Sequence, residues 1–194
     1  MAEPARRRAT YEDILALPER MTGEIIGGEL YTQPRPAGPH TVVASGLGGD
    51  LLGMFDRGRG GPGGWVILDE PEIHFSDGEI LVPDIAGWKL ERLPVEARVG
   101  TFFTVVPDWV CEVLSPRTAT RDREIKAPCY ARHGVNHLWL VEPILGHIEA
   151  FARREEGWLW LGTWSDAGAR VPPFDEVTLD LRTIWAAIGG PKQE

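Results

Sequence analysis

Trp109-Val110-Cys111-Glu112-Val113-Leu114-Ser115-Pro116 is the run around which the chain is organised. Its first six residues are mostly apolar and β-prone, the composition of a central strand buried on both faces. Ser115-Pro116 ends it, because proline has no N–H to give to a sheet. A helix follows over residues 120–132, and His137-Leu138-Trp139-Leu140-Val141 forms the next apolar strand. Strand, helix and strand within about 35 residues is the size of a right-handed βαβ crossover between parallel strands. Pro128 falls inside the helix and predicts a break or kink near residues 124–127.

Upstream, residues 65–68, 72–75 and 84–88 read as short strands, punctuated by the turn residues Ser76-Asp77-Gly78. Downstream, residues 148–154 and 158–164 flank Glu155-Glu156-Gly157 as an antiparallel hairpin, and residues 181–188 form a closing helix. Near the start, Thr10 caps a short helix with Asp13 three places on, and Pro18 ends it. Glu24-Ile25-Ile26 and Glu29-Leu30-Tyr31 surround Gly27-Gly28 as a tight hairpin. Val43, Leu47, Leu51 and Phe55 place one apolar stripe on a helix over 40–55, while the nine glycines from Gly46 to Gly64 favour a loop. The expected fold class is α/β (α+β): a mixed β-sheet flanked by helices, with additional antiparallel hairpins. One domain over 1–194 is expected, with residues 1–9 as a flexible tail.

With 43% hydrophobic residues the chain can bury a real core. The absence of a signal-peptide core and of a long uncharged run predicts a soluble, cytoplasmic protein without membrane contact. Cys111 and Cys129 lack C-x-x-C spacing and are expected as buried small hydrophobes. The formal charge of −9 opposes binding to a polyanion. Residues 115–132, however, hold five basic side chains (Arg117, Arg121, Arg123, Lys126, Arg132) against two acidic ones, and are locally +3.

Glu112 carries the most information, because an unpaired carboxylate among apolar strand neighbours would cost several kcal/mol. Asp84, in Val82-Pro83-Asp84-Ile85-Ala86, is a second acid at an apolar strand. Two carboxylates converging on one point require a proton or a divalent cation. Oxygen ligands without histidine or thiolate nearby suit Mg²⁺ or Mn²⁺. Lys126, on the next helix, could reach back to phosphate or a metal-bound water, giving a phosphodiester-hydrolysing set. Plainer roles are also open: Asp84 as a turn cap, Glu112 in a buried salt bridge, Lys126 on a solvated helix face.

Pro83-Asp84, then Pro107-Asp108-Trp109-Val110-Cys111-Glu112-Val113-Leu114-Ser115-Pro116, then Asp122, Lys126, Tyr130, Gly134-Val135 and Trp139-Leu140-Val141 together resemble the Uma-two family of restriction-endonuclease-like proteins. The resemblance implies a PD-(D/E)XK nuclease core with Asp84 and Glu112 as metal ligands and catalytic residues. It also implies a catalytic lysine displaced onto the following helix as Lys126, since Leu114 stands where the usual pattern has lysine.

His133 and His137 have i, i+4 spacing, but Gly134 between them argues against a shared metal. Ser45 lacks the flanks of a nucleophile elbow. Trp158, Trp160 and Trp164 suit a core or interface better than a base-stacking platform. The leading functional expectation is a Mg²⁺- or Mn²⁺-dependent DNA endonuclease acting as a homodimer. The alternatives are a catalytically inactive nuclease-like fold used as a binding or assembly module, and a metal-dependent hydrolase of small phosphorylated substrates.

Overall fold

A computed structural model describes residues 7–34 and 38–190. In chain order the elements are α1 (Tyr11–Leu15), β1 (Met21–Ile26), β2 (Glu29–Pro34), α2 (Pro39–Leu51), β3 (Trp65–Asp69), β4 (Ile73–His74), β5 (Ile80–Leu81), β6 (Ile85–Lys89), β7 (Trp109–Val113), α3 (Ala119–Arg121), α4 (Ala127–His133), β8 (His137–Glu142), β9 (His147–Arg154), β10 (Gly157–Trp164), β11 (Ala167–Ala169), β12 (Leu179–Asp180) and α5 (Leu181–Ala186). A π turn, Leu52–Asp56, extends α2, so its helical path runs on into the glycine-dense stretch. Another π turn, Asp122–Lys126, joins α3 to α4.

The main sheet has six strands in the order β10-β9-β8-β7-β6-β3, and a four-stranded sheet has the order β2-β1-β5-β4. Within the main sheet β7 and β8 are parallel, joined by the α3–α4 crossover, and the other neighbours are antiparallel. Strand alternation explains why β7, Glu112 apart, is apolar and why all of it is buried. Trp109, Cys111 and Val113 pack with α2, α5 and Phe174 on one face, and Val110 and Leu114 pack with Trp88 and Tyr130 on the other. Phe174 stands among the rings of Phe55, Trp65, Trp109 and Trp139, with centroids 4.6–5.5 Å away. Both cysteines are buried and free.

Several expectations change at their edges. The run 72–75 contributes only two strand residues, and these belong to the smaller sheet through Ile73↔Leu81 and His74↔Ile80. Asp84 precedes β6 instead of opening it. The expected break at Pro128 becomes the π turn. Proline has no N–H to offer the carbonyl four residues back, and the wide turn carries the chain past the mismatch without ending the helical path. Part of the expected tail is held: Ala9 N–H donates to Gly28 O, and Arg7 pairs with Asp13, while residues 1–6 lie outside the described residues. No described helix is long and apolar enough to cross a membrane.

Candidate active site

The register between β6 and β7 builds the site. Ile85 faces Cys111 and Ala86 faces Val110, so one step further along the same register Asp84 stands opposite Glu112. Both belong to the sheet face of Ala86 and Val110, because successive residues alternate. The Val113 N–H donates to Asp84 Oδ2 at 2.6 Å and fixes that carboxylate at the strand end. Asp84 and Glu112 line one cleft of about 520 Å³, with Gln33, His40, Asp122 and Arg117 among the surrounding residues. Pro107-Asp108, the other proline-aspartate pair, lies at the opposite end of β7. There Asp108 accepts from Arg92, from Asn136 and from the Lys89 N–H, and has a structural role.

Lys126 is 1% exposed and is no part of a solvated face. The π turn aims it inward, where Nζ lies 2.8 Å from Glu112 Oε1, 2.9 Å from Glu24 Oε1 and 3.1 Å from Val82 O. An ammonium has three protons, and these three acceptors use all of them. Tyr130 O–H also donates to Glu112 Oε1, at 2.6 Å. Burial pushes the Glu112 carboxyl well above its ordinary range, against the pull of Lys126. Burial works against the charged form of Lys126 too, but Glu112 and Glu24 outweigh it and raise the pKa of the ammonium. Asp122, also buried, is pushed up by desolvation in spite of Lys126 and Thr118.

His40, from the first turn of α2, brings Nε2 to 3.1 Å from Asp84 Oδ2. Burial opposes its protonation, while Asp84, Asp122 and Glu70 favour it and raise its pKa overall. Glu70 closes this side with a left-handed φ of 43°, its N–H donating to the Asp84 carbonyl at 3.0 Å. Such backbone strain in a non-glycine residue is common beside functional sites. Two buried atoms next to the acids, Glu24 Oε2 and His40 Nδ1, have no hydrogen-bond partner. The carboxylates of Asp84, Glu112 and Asp122 on this cleft are an oxygen donor set that fits a hard divalent cation.

The family model described as "Putative restriction endonuclease", Uma2, matches residues 9–182. The chain belongs to the Uma2 family. A crystal structure of "a putative nuclease belonging to DUF820" from Anabaena variabilis ATCC 29413 superposes with a TM-score of 0.72 at 22% identity, covering 93% of this chain and 99% of that one. At that identity the likeness shows the fold alone, a mixed sheet with flanking helices and antiparallel hairpins. No curated protein matches the chain.

Of the three residues singled out in the sequence of this Uma2 member, Asp84 and Glu112 line the same cleft and Lys126 lies behind Glu112. Glu24 and His40 escaped the pattern, and Tyr130 stood in it without a role. Glu24 looks like one acid of a surface hairpin, yet it is 1% exposed and accepts the Val82 N–H at 2.9 Å. His40 corrects the expectation that no histidine stands near the acids. The +3 run is not an open basic face either. Lys126 and Arg121 are turned toward buried acids, Arg123 pairs with Glu149, and Arg132 pairs with Glu79. Arg117 lines the cleft. Trp65, Trp88, Trp109, Trp139 and Trp185 are core, Trp158 and Trp164 are partly buried against it, and Trp160 on β10 is 59% exposed.

Proposed function

We propose that the cleft is the active site of a divalent-metal-dependent DNA endonuclease, with Asp84 and Glu112 as the ligands of Mg²⁺ or Mn²⁺. The observation that carries the proposal is the pairing of two acids, 28 positions apart in the sequence, across one strand register onto one cleft. A bound cation would polarise the phosphate and lower the pKa of its water. The Val113 N–H and His40 orient Asp84, while Tyr130 and Lys126 hold Glu112 from behind. Lys126 keeps its place in the catalytic set as a positioning group: with three acceptors already in contact, its work is to pull against the burial of Glu112 and to aim it. Arg117 on the cleft wall is the cation placed to meet a phosphate.

Cutting both strands of a duplex calls for two copies of the site, which fits a two-fold homodimer. The test is cleavage of duplex and single-stranded DNA with Mg²⁺ or Mn²⁺. Asp84→Asn and Glu112→Gln should each lower the rate at least ~100-fold, since metal stabilisation of the transition state amounts to several kcal/mol. A folded wild-type protein that cuts neither substrate with either metal overturns the proposal.

A hydrolase of small phosphorylated substrates is a second reading, favoured by the internal use of the basic run. Rising salt should sharply suppress cleavage of DNA and leave turnover of a small phosphodiester nearly unchanged. The outcome separates the two.

A further inference from the structure

Glu79, Cys129 and His133 meet away from the cleft. Cys129 and His133 stand four residues apart on α4, hence on one helix face. Cys129 S–H donates to Glu79 Oε2 at 2.8 Å, and His133 Nε2 lies 2.7 Å from the same oxygen. The three ligand atoms all fall within 4.8 Å of one another, and Asp77 Oδ2 is 3.5 Å from His133 Nε2. We propose that these four residues form a second metal site, for a Zn²⁺-class ion, separate from the hard-cation cleft.

The chemistry of the set selects the metal. Thiolate and imidazole suit zinc and its neighbours, whereas Mg²⁺ and Mn²⁺ prefer all-oxygen shells. Bond lengths of about 2.0–2.3 Å put tetrahedral ligand atoms roughly 3.3–3.7 Å apart. The two contacts of Glu79 Oε2, at 2.7 and 2.8 Å, are therefore short by less than about 1 Å, the difference between a shared proton and a shared cation. Zinc would take the place of the thiol proton, which leaves to solvent, and would bind Nε2 of the neutral imidazole, whose ring proton sits on Nδ1.

The surroundings are already arranged as an outer shell. The Gly27 N–H donates to Glu79 Oε1 at 2.8 Å and leaves Oε2 as the ligand atom. Phe75 stacks on the His133 ring at 4.0 Å and fixes its plane. Arg132 bonds both Glu79 oxygens at 3.0 Å, but its side chain is 56% exposed and can retreat to Oε1 as the ion enters. Occupancy would clamp the turn between β4 and β5 to α4, the helix that supplies Tyr130 to Glu112.

Cobalt titration of the metal-free full chain tests the site. One equivalent of Co²⁺ should give a thiolate-to-metal charge-transfer band together with tetrahedral ligand-field bands, and Zn²⁺ should remove both. Cys129→Ser and His133→Ala should abolish the thiolate band, and Asp84→Asn should leave it intact. Zn²⁺ affinity should fall more than ~100-fold in Cys129→Ser, because even outer-shell changes cost 10–100-fold. Asp77→Ala, which alters an exposed side chain and keeps the fold, should weaken Zn²⁺ at least ~10-fold. A saturated wild-type protein without a thiolate band shows a hydrogen-bonded cluster only and overturns the proposal. So does a band that survives Cys129→Ser, or Zn²⁺ binding that disappears in Asp84→Asn.

Discussion

Lys126→Met removes an ammonium buried between Glu24 and Glu112 and replaces it with an unbranched apolar side chain. The volume is nearly kept, so the effect is electrostatic. Removing one partner of a buried ion pair destabilises by about 3–5 kcal/mol, because the other charge stays buried without compensation. Here two carboxylates lose the same ammonium together. At 2–4 °C per kcal/mol for a chain of this size, Tm should fall by roughly 6–20 °C. Burial already pushes Glu112 up, and without Lys126 the opposing pull is gone. A carboxyl whose folded pKa is raised stabilises the fold fully below its unfolded value and loses that contribution as pH rises. The deficit of the variant should therefore be small near pH 4 and grow toward neutrality. Urea unfolding followed by tryptophan fluorescence measures this. Adding Glu24→Gln should restore about 0.5–3 kcal/mol, the usual coupling of contacting residues. A variant within about 1 kcal/mol of wild type at neutral pH, or a strictly additive double mutant, refutes the view of Lys126 as an internal counterion.

Three further outcomes are expected. His40→Ala should weaken Mn²⁺ binding by about 10–100-fold, read by calorimetry, because the imidazole orients Asp84 from the outer shell. Gly87→Ala should lower stability in urea by about 1–3 kcal/mol. A Cβ there would lie 3.0 Å from Ile67 and 3.1–3.2 Å from the Trp109 and Trp65 rings, inside a packed strand pair. The Asp13 carboxyl, held by Arg7 and then by the Thr10 N–H, should titrate at about 2 by NMR. Its stabilising effect is present above the ordinary value of 3.8 and is lost as pH falls toward 2, and Arg7→Ala should move the titration back toward 3.8.

Elements whose hydrophobic period is strong were legible in the sequence: the strand around Glu112, the crossover to β8, the Gly27-Gly28 hairpin with φ of 63° and 82°, and the stripe of α2. What was hidden depends on contacts between distant segments. Glu24 and Lys126 are 102 positions apart, and neither alone suggests burial. Their meeting is set by β1 pairing with β5 and by a π turn that local propensity does not encode. His40 lies at the start of a helix with no neighbouring acid in sequence, so its pairing with Asp84 was not visible. Glu79, Cys129 and His133 were equally silent: two share a helix face, and the third arrives from the turn between β4 and β5 of the second sheet. Charge counting misled for the same reason, since a local sum of +3 ignores which cations are spent on buried acids.

Calorimetric titration of Mn²⁺ into the wild-type protein, Asp84→Asn and Glu112→Gln addresses the metal assignment directly, with Cys129→Ser as the control for the other cluster. Saturable binding in wild type and Cys129→Ser, and its loss in both carboxylate variants with unchanged circular dichroism, is the result predicted. Mn²⁺ held as tightly by either folded carboxylate variant as by the wild type would contradict it.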